Sequence, residues 1–145
     1  MPIIAHTILI NADVERVYGL LSTADGIAKW FTTAHYSENT QIGDLELLLW
    51  GNTRFRVTDH SPGSRVAWHC ISVDNPWYGT DIVFELRPDA GTALLLFEHQ
   101  NWPAETQHFR ECSESWEYFL QSLKSLLETG VGTPEDVAPP YESPK

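Results

Sequence analysis

The stretch FRECSESWEYFLQSLKSLLETG, residues 109–130, decides the architecture of this chain. Its apolar residues recur at steps of three and four, which is the spacing of one face of an α-helix. They are Phe109, Cys112, Trp116, Phe119, Leu120, Leu123, Leu126 and Leu127. Gly130 is a natural C-terminal cap and Pro134 prevents the helix from resuming, so it should end near Glu128 or Thr129. The pattern predicts one long amphipathic helix of about five turns.

Upstream of this helix, the chain has the pattern of strands separated by turn residues. The predicted strands cover residues 2–10, 35–40, 45–50, 54–60, 65–73, 80–87 and 92–99. Alternation is clearest where Ile82, Phe84 and Leu86 alternate with polar residues, which indicates a sheet with one solvated face. The segment 94–97 is apolar on both faces, so we expect cover on each side there.

Two short helical segments are predicted between the first two strands. Asn11 or Asp13 can cap the first of them. Its buried face is formed by Val14, Val17, Tyr18 and Leu21. Residues 22–26 interrupt this helix, and a further turn over 27–31 ends at Trp30 and Phe31.

The order of elements predicts an α+β fold, in which a curved antiparallel sheet of six to seven strands closes over the long C-terminal helix. A single helix cannot fill the whole concavity of such a sheet unless large side chains meet from both sides. We therefore expect an internal cavity between the sheet and the C-terminal helix. The prediction is one domain over residues 1–130 and a Pro-rich tail over 131–145 that adds little stability.

Composition restricts which partners, cofactors and cell compartment we expect for this chain. Nine Lys and Arg against twenty Asp and Glu give a net charge of −11, which argues against nucleic acid. No apolar run approaches about 18 residues, so membrane insertion is not expected. Cys70 and Cys112 lie outside any metal-ligand spacing and the six histidines are scattered, so no metal or other cofactor is expected. Two reduced thiols and the lack of a signal-peptide pattern predict a cytoplasmic protein.

The seventeen aromatic residues supply the candidate lining of the cavity. The predicted ligand contacts are Trp30, Arg54, Trp68, Trp77, Tyr78, His99, Trp102, Phe109 and Trp116. For each of these aromatic residues, the alternative to ligand contact is a place in the packed core. Arg54 either meets a ligand carboxylate or belongs to the wet face, and His99 is either a proton carrier or a strand-end residue bonded to a loop. We expect Trp116 to touch both core and ligand and Trp77 to control entry.

The order and spacing of several short segments resemble the START-like SRPBCC superfamily. The segments are 66–70 (VAWHC), 77–80 (WYGT) and 84–86 (FEL). Further along, 91–92 (GT), 97–99 (FEH), Trp102, Cys112, Trp116, Leu120, 122–124 (SLK) and 128–130 (ETG) are similar to the branch related to the activator of heat-shock-protein-ninety ATPase. The resemblance covers about residues 3–134. Many members have glycine before the two tryptophans, where this chain has Asn101 and Ser115.

This resemblance implies the helix-grip fold, with a hydrophobic cavity between sheet and helix. Similar proteins include lipid carriers, polyketide cyclases, hormone receptors and chaperone cofactors, so the fold alone leaves the chemistry open. The leading hypothesis is a binding module for a small apolar or aromatic molecule. An enzyme of cyclase or hydrolase type would draw on Arg54, His69, Glu98 and His99. A chaperone-interacting domain is the third hypothesis, and a second copy of the chain is a candidate partner.

Overall fold

The computed structural model describes residues 2–32, 34–36, 46–50 and 53–135. Its strands are β1 (Ile4–Ile10), β2 (Ala34–Tyr36), β3 (Glu46–Leu49), β4 (Thr53–Ser61), β5 (Arg65–Cys70), β6 (Asp81–Asp89) and β7 (Thr92–Gln100). Its helices are α1 (Val14–Ser22), α2 (Ala24–Trp30) and α3 (Gln107–Thr129). The predicted α+β architecture is confirmed.

The seven strands form one antiparallel sheet in the order β1-β7-β6-β5-β4-β3-β2. From β3 to β7, every strand pairs with its predecessor, which is the arrangement that short turns between antiparallel strands produce. Strand β1 instead lies beside the last strand. Two short helices follow β1, and the long helix α3 comes after β7, so the chain has the order of the helix-grip fold.

Helix α3 begins and ends where the sequence places its caps. The hydroxyl of Thr106 accepts a hydrogen bond from the backbone N–H of Phe109 and caps the first turn. Gly130 lies in the left-handed region at φ 88° and its N–H donates to the carbonyl of Leu126, so the helix ends at Thr129 as predicted. Seven of the eight predicted stripe residues are buried, and Leu126 packs against the core while partly buried.

Several predicted boundaries move when tertiary contacts are formed. Strand β5 ends at Cys70 and not at residue 73, because residues 72–80 form a hydrogen-bonded loop. Strand β6 extends to Asp89, and Ala90 and Gly91, both with positive φ, make a two-residue reversal of the kind favoured in hairpins. The second predicted strand appears as Ala34–Tyr36. Residues 37–40 and Leu45 of the predicted strands, and residues 51–52 between two of them, lie outside the described residues.

Strand β7 carries one core face and one half-shielded face. Leu95 and Phe97 are buried in the core. Leu94 and Leu96 are half-buried on the opposite face, where β1 and β6 flank them on either side. Leu94 and Leu96 thus remain partly exposed on that face, and the cover expected there is incomplete.

The first part of the predicted tail packs on the body of the domain. The backbone N–H of Thr133 donates to Ser122 Oγ at 2.7 Å, and the N–H of Glu135 donates to the carbonyl of Phe31 at 2.9 Å. Residues 131–135 therefore link α3 to the end of α2, and the small contribution of the tail to stability stays a prediction.

Candidate functional site

Aromatic rings occupy the space between the sheet and α3, where the sequence predicts a cavity. The ring of Trp116, on α3, has its centroid 4.5 Å from that of Phe97, 4.9 Å from Phe31 and 5.9 Å from Trp77. These rings come from β7, the end of α2 and the loop before β6. Large side chains from both sides thus meet here, which is the condition under which one helix closes the concavity.

A chain of buried hydrogen bonds runs through this aromatic core. Trp116 Nε1 donates to His99 Nδ1 at 3.1 Å, and an indole N–H can only donate. His99 must therefore carry its proton on Nε2, which donates to Thr80 Oγ1 at 2.8 Å. The Thr80 hydroxyl in turn donates to the carbonyl of Trp77 at 2.6 Å. The chain ties α3, β7 and the loop before β6 together.

Burial lowers the pKa of His99 to about 3, and the nearby His108 acts in the same direction. The imidazole is therefore neutral near neutral pH, with both nitrogens engaged. A base with so low a pKa is poorly matched to proton transfer at that pH. The arrangement makes His99 a structural connector between α3 and the sheet.

The structure separates the predicted ligand contacts into two groups. Seven of them are buried in the core, namely Trp30, Trp68, Trp77, His99, Trp102, Phe109 and Trp116. The other two, Arg54 and Tyr78, are exposed, and the Arg54 guanidinium pairs with Glu46 at 3.2 Å. Trp77 is not placed at an opening, because it is 1% exposed and its Nε1 donates to Cys112 Sγ at 3.4 Å.

The four side chains considered for an enzyme do not converge. His99 is inside, whereas His69 faces the other side of the sheet and contacts Asp81 at 2.8 Å. Glu98 alternates with His99 along β7 and accepts a hydrogen bond from Gln100. Arg54 is engaged with Glu46 on the exposed surface. An acid and a base drawn from this group do not meet in one pocket.

A recess of about 140 Å³ lies between the short helices and strands β3 to β5. Its lining consists of Tyr18, Leu21, Ser22, Ile27, Leu47, Val57, His60, Val66 and Trp68. Most of these side chains are apolar and buried, whereas Tyr18 is half-buried and His60 is exposed. The recess is thus an apolar pocket whose polar groups lie towards solvent.

Of this lining, only Trp68 is among the ligand contacts predicted from the sequence. Tyr18 and Leu21 are predicted on the buried face of α1, a face that also borders the recess. His60 is not among the predicted contacts, and strict alternation from Val57 would place residue 60 on the opposite face of the strand. For all nine predicted contacts, Trp68 included, ligand binding stays a prediction.

Burial raises the pKa of Tyr18 above its ordinary value. A hydrogen bond with Ser22 opposes this rise, whereas the negative charges of Asp59 and Glu15 add to it. The phenol is therefore kept protonated, as a hydroxyl that can donate a hydrogen bond at the edge of an apolar pocket.

The model of the family described as activator of Hsp90 ATPase homolog 1-like protein matches residues 11–128. The chain belongs to this family. Its match spans α1 to the last turn of α3, and so includes the recess and the aromatic core. The resemblance found in the sequence is confirmed.

Solved structures of similar fold include an Aha1 dimer from Colwellia psychrerythraea, determined in solution. It is 34% identical, with a TM-score of 0.77 over 91% of this chain and 100% of that one. CalU16 from Micromonospora echinospora is 19% identical, with a TM-score of 0.72 over 87% of this chain and 74% of that one. SSP2350 from Staphylococcus saprophyticus is 16% identical, with a TM-score of 0.72 over 92% and 98% of the two chains. No curated protein matches this sequence.

One departure from the family pattern has a local explanation. Asn101 adopts φ 68°, a left-handed conformation that glycine takes without strain and that asparagine tolerates better than most residues. Asn101 Nδ2 also donates to Asp81 Oδ2. Asparagine at position 101 therefore allows the left-handed bend that precedes the buried Trp102.

Two further classes of feature are absent from the described part of the chain. Residues 2–32, 34–36, 46–50 and 53–135 contain no group of three or more His, Cys, Asp or Glu side chains placed to hold a metal ion. Over the same residues, none of the helices combines the length and the apolar character needed to cross a bilayer.

Proposed function

We propose that this chain binds a small apolar or aromatic molecule in the recess between the short helices and strands β3 to β5. The observation that carries the proposal is a pocket of about 140 Å³ bounded by buried Leu21, Ile27, Leu47, Val66 and Trp68. A cavity of similar size lined by aliphatic and aromatic side chains holds a benzene ring in another protein. The occupant is accordingly about the size of one six-membered ring.

The recess is bordered by α1 and α2, whereas the sequence predicts a cavity next to α3, where aromatic rings fill the space. Aromatic rings fill the space around Trp116 on α3, whereas the recess beside α1 and α2 combines apolar surface with an opening. Its Trp68 ring provides a flat apolar surface, against which an aromatic ligand gains contact area. Binding there does not require the helix α3 to move.

Filling the recess tests this proposal. Val57→Phe places a ring in the pocket from the half-buried position on β4, whereas Val73→Phe adds the same ring at a residue that is 70% exposed. We expect toluene to shift the amide signals of residues around the recess in the native chain and in the Val73 variant, with saturable binding. The Val57 variant should fold and show no saturable shift. Equal binding by both variants would place the ligand elsewhere and refute the proposal.

A second candidate function comes from the family itself. Its description names an activator of Hsp90 ATPase, and the Colwellia relative is described as a dimer. By this analogy, contact with a chaperone ATPase and formation of a homodimer are proposals for the present chain. Stimulation of a chaperone's ATP hydrolysis and a mass of twice 16.4 kDa by light scattering are the results that would support them.

A cytoplasmic location is part of both candidate functions. It is supported by the two buried cysteines, Cys70 and Cys112, which are free thiols.

A further inference from the structure

Strand β4 contains a bulge that changes the face on which its last residues lie. Val57 is opposite Trp68, Asp59 is opposite Ala67 and His60 is opposite Val66, so Thr58 has no partner in the ladder. In a regular strand, residues 57 and 60 face opposite sides, because side chains alternate. Because of the extra residue, His60 lies on the same face of β4 as Val57, and Asp59 lies on the opposite face.

This bulge brings a third polar side chain to the recess. Tyr18 and Ser22 are one helical turn apart on α1 and are hydrogen-bonded to each other. His60 borders the same recess from the sheet. Hydroxyl and imidazole groups from two elements therefore meet at the edge of a pocket whose remaining lining is aliphatic apart from Trp68.

The charges around these groups disfavour an anion. Among the described residues that line the recess, none is Lys or Arg. Asp59 and Glu15 are close enough to Tyr18 for their negative charges to affect its pKa. The neighbouring cation, Arg65, is already paired with Asp59 at 3.0 Å. A ligand carboxylate would be repelled by these negative charges, and no Lys or Arg among the described lining residues would pair with it.

We propose that the recess selects an uncharged single-ring compound with one hydroxyl group, and that Tyr18, Ser22 and His60 recognise that hydroxyl at the mouth. This inference rests on the proposed binding function and adds the ligand class. The ring lies against Trp68, and the hydroxyl exchanges its hydrogen bonds to water for bonds to the protein groups. A hydroxyl both donates and accepts, which matches a set made of two hydroxyls and an imidazole.

The inference is tested by titrating the chain with benzyl alcohol, toluene and benzoate and following amide shifts by NMR at about pH 8, where benzoate is fully ionised. The three probes share one ring and differ in the polar group. One additional hydrogen bond predicts that benzyl alcohol binds about fivefold more tightly than toluene. Benzoate should bind at least about tenfold more weakly than benzyl alcohol, since its charge stays unpaired.

Two variants with matched controls assign the effect to the named residues. Tyr18→Phe keeps the ring and removes the hydroxyl, and His60→Leu removes the imidazole from an exposed position. Each should reduce the advantage of benzyl alcohol over toluene while leaving toluene affinity within about twofold. The controls are Tyr118→Phe on the exposed side of α3 and His69→Leu on the other face of the sheet, and both should keep the full advantage.

The outcomes separate this inference from the function on which it rests. If none of the probes binds the folded chain saturably, the proposed function fails and the inference fails with it. If toluene binds in the recess but benzyl alcohol has no advantage, or benzoate binds equally well, the binding function stands and the ligand class is wrong. A preference for benzyl alcohol that survives in both variants would overturn the assignment to Tyr18 and His60.

Discussion

At the scale of single residues, His99 is a strand-end histidine bonded to a loop, one of the two roles that the sequence left open. It is fully buried between two tryptophans. Its two nitrogens face a donor on one side and a hydroxyl on the other, so only the neutral ring with its proton on Nε2 satisfies both. Protonation would place a second N–H against the Trp116 indole N–H.

The burial of His99 predicts a specific dependence of stability on pH. Its pKa is about 3 in the folded chain and about 6.5 in an unfolded one, so the unfolded state binds the proton between these values. The stabilisation is complete above about pH 6.5 and is lost as the pH falls towards 3, at a rate on the order of 1 kcal/mol per pH unit.

His99→Gln isolates this contribution, because the amide can accept from Trp116 and donate to Thr80 without titrating. Urea unfolding at a series of pH values should show the native chain losing its stability advantage over the variant as the pH falls from about 6.5 to 4. Parallel stability profiles for the two proteins would show that His99 is already protonated or is solvated in the folded state.

Trp116 is the second residue whose packing predicts a measurable effect. It is 2% exposed and its ring is surrounded by Phe31, Trp77, Phe84 and Phe97. Trp116→Ala should cost about 3–5 kcal/mol in the free energy of unfolding, because a large cavity replaces a buried ring and the His99 acceptor loses its donor. Tyr118→Ala, two residues along and 45% exposed, should cost less than about 1 kcal/mol. A loss below about 2 kcal/mol for Trp116→Ala would indicate a natural void beside the ring.

At the scale of elements, helix α3 also protects an edge of the sheet. Strand β1 pairs with β7 on one side, and its other side is an edge. Lys124 Nζ donates to the carbonyl of Leu9, and Glu128 accepts the N–H of Asn11. The two side chains also pair with each other at 3.1 Å. One ion pair on α3 thus supplies a donor and an acceptor to the end of this edge, where an unpaired strand invites association.

The segment 131–135 is the second element whose role emerges from the structure. Besides the bonds from Thr133 and Glu135, the Ser125 hydroxyl donates to the carbonyl of Val131 at 2.7 Å. Gly132 passes so close to α2 that an added Cβ would lie 2.5 Å from the carbonyl oxygen of Lys29. The segment is therefore packed against both helices, and glycine is needed for this approach.

Two truncations separate the contribution of this segment from the rest of the tail. A chain ending at Glu135 should retain the thermal midpoint of the full chain to within a few degrees, or less than about 1 kcal/mol. A chain ending at Gly130 should lose about 1–2 kcal/mol more in the free energy of unfolding, because Ser122 and the Phe31 carbonyl lose their partners. Ser122→Ala in the Glu135 chain should reproduce part of that loss. Equal midpoints for the two truncated chains would contradict the packing of residues 131–135.

At the scale of the whole molecule, the fold divides its apolar interior into two regions. Against α3, aromatic rings and a hydrogen-bonded histidine make a filled core. Against α1 and α2, smaller aliphatic side chains around Trp68 leave the recess. Helices α1 and α2 approach each other closely beside this recess. A Cβ on Gly26 of α2 would lie only 2.7 Å from the carbonyl oxygen of Gly19 of α1.

The sequence by itself determined the elements that depend on nearby residues. The period of the stripe from Phe109 to Leu127 and the caps around it specify α3, and alternation with turn residues specifies most strands, because these signals act within a few positions of the chain. Their order was then sufficient for the α+β architecture. The order and spacing of the short segments between residues 66 and 130 were sufficient for the family.

Only the tertiary structure decided where the interior is filled and where it is open. Whether Trp77 stands at an entrance or inside the core depends on which ring lies opposite, and Trp116 fills that place. Whether His60 faces solvent or the recess depends on the bulge at Thr58, which pairing with β5 fixes. Both outcomes arise from contacts between residues distant in the chain, and packing volume and strand register are set only when those residues meet.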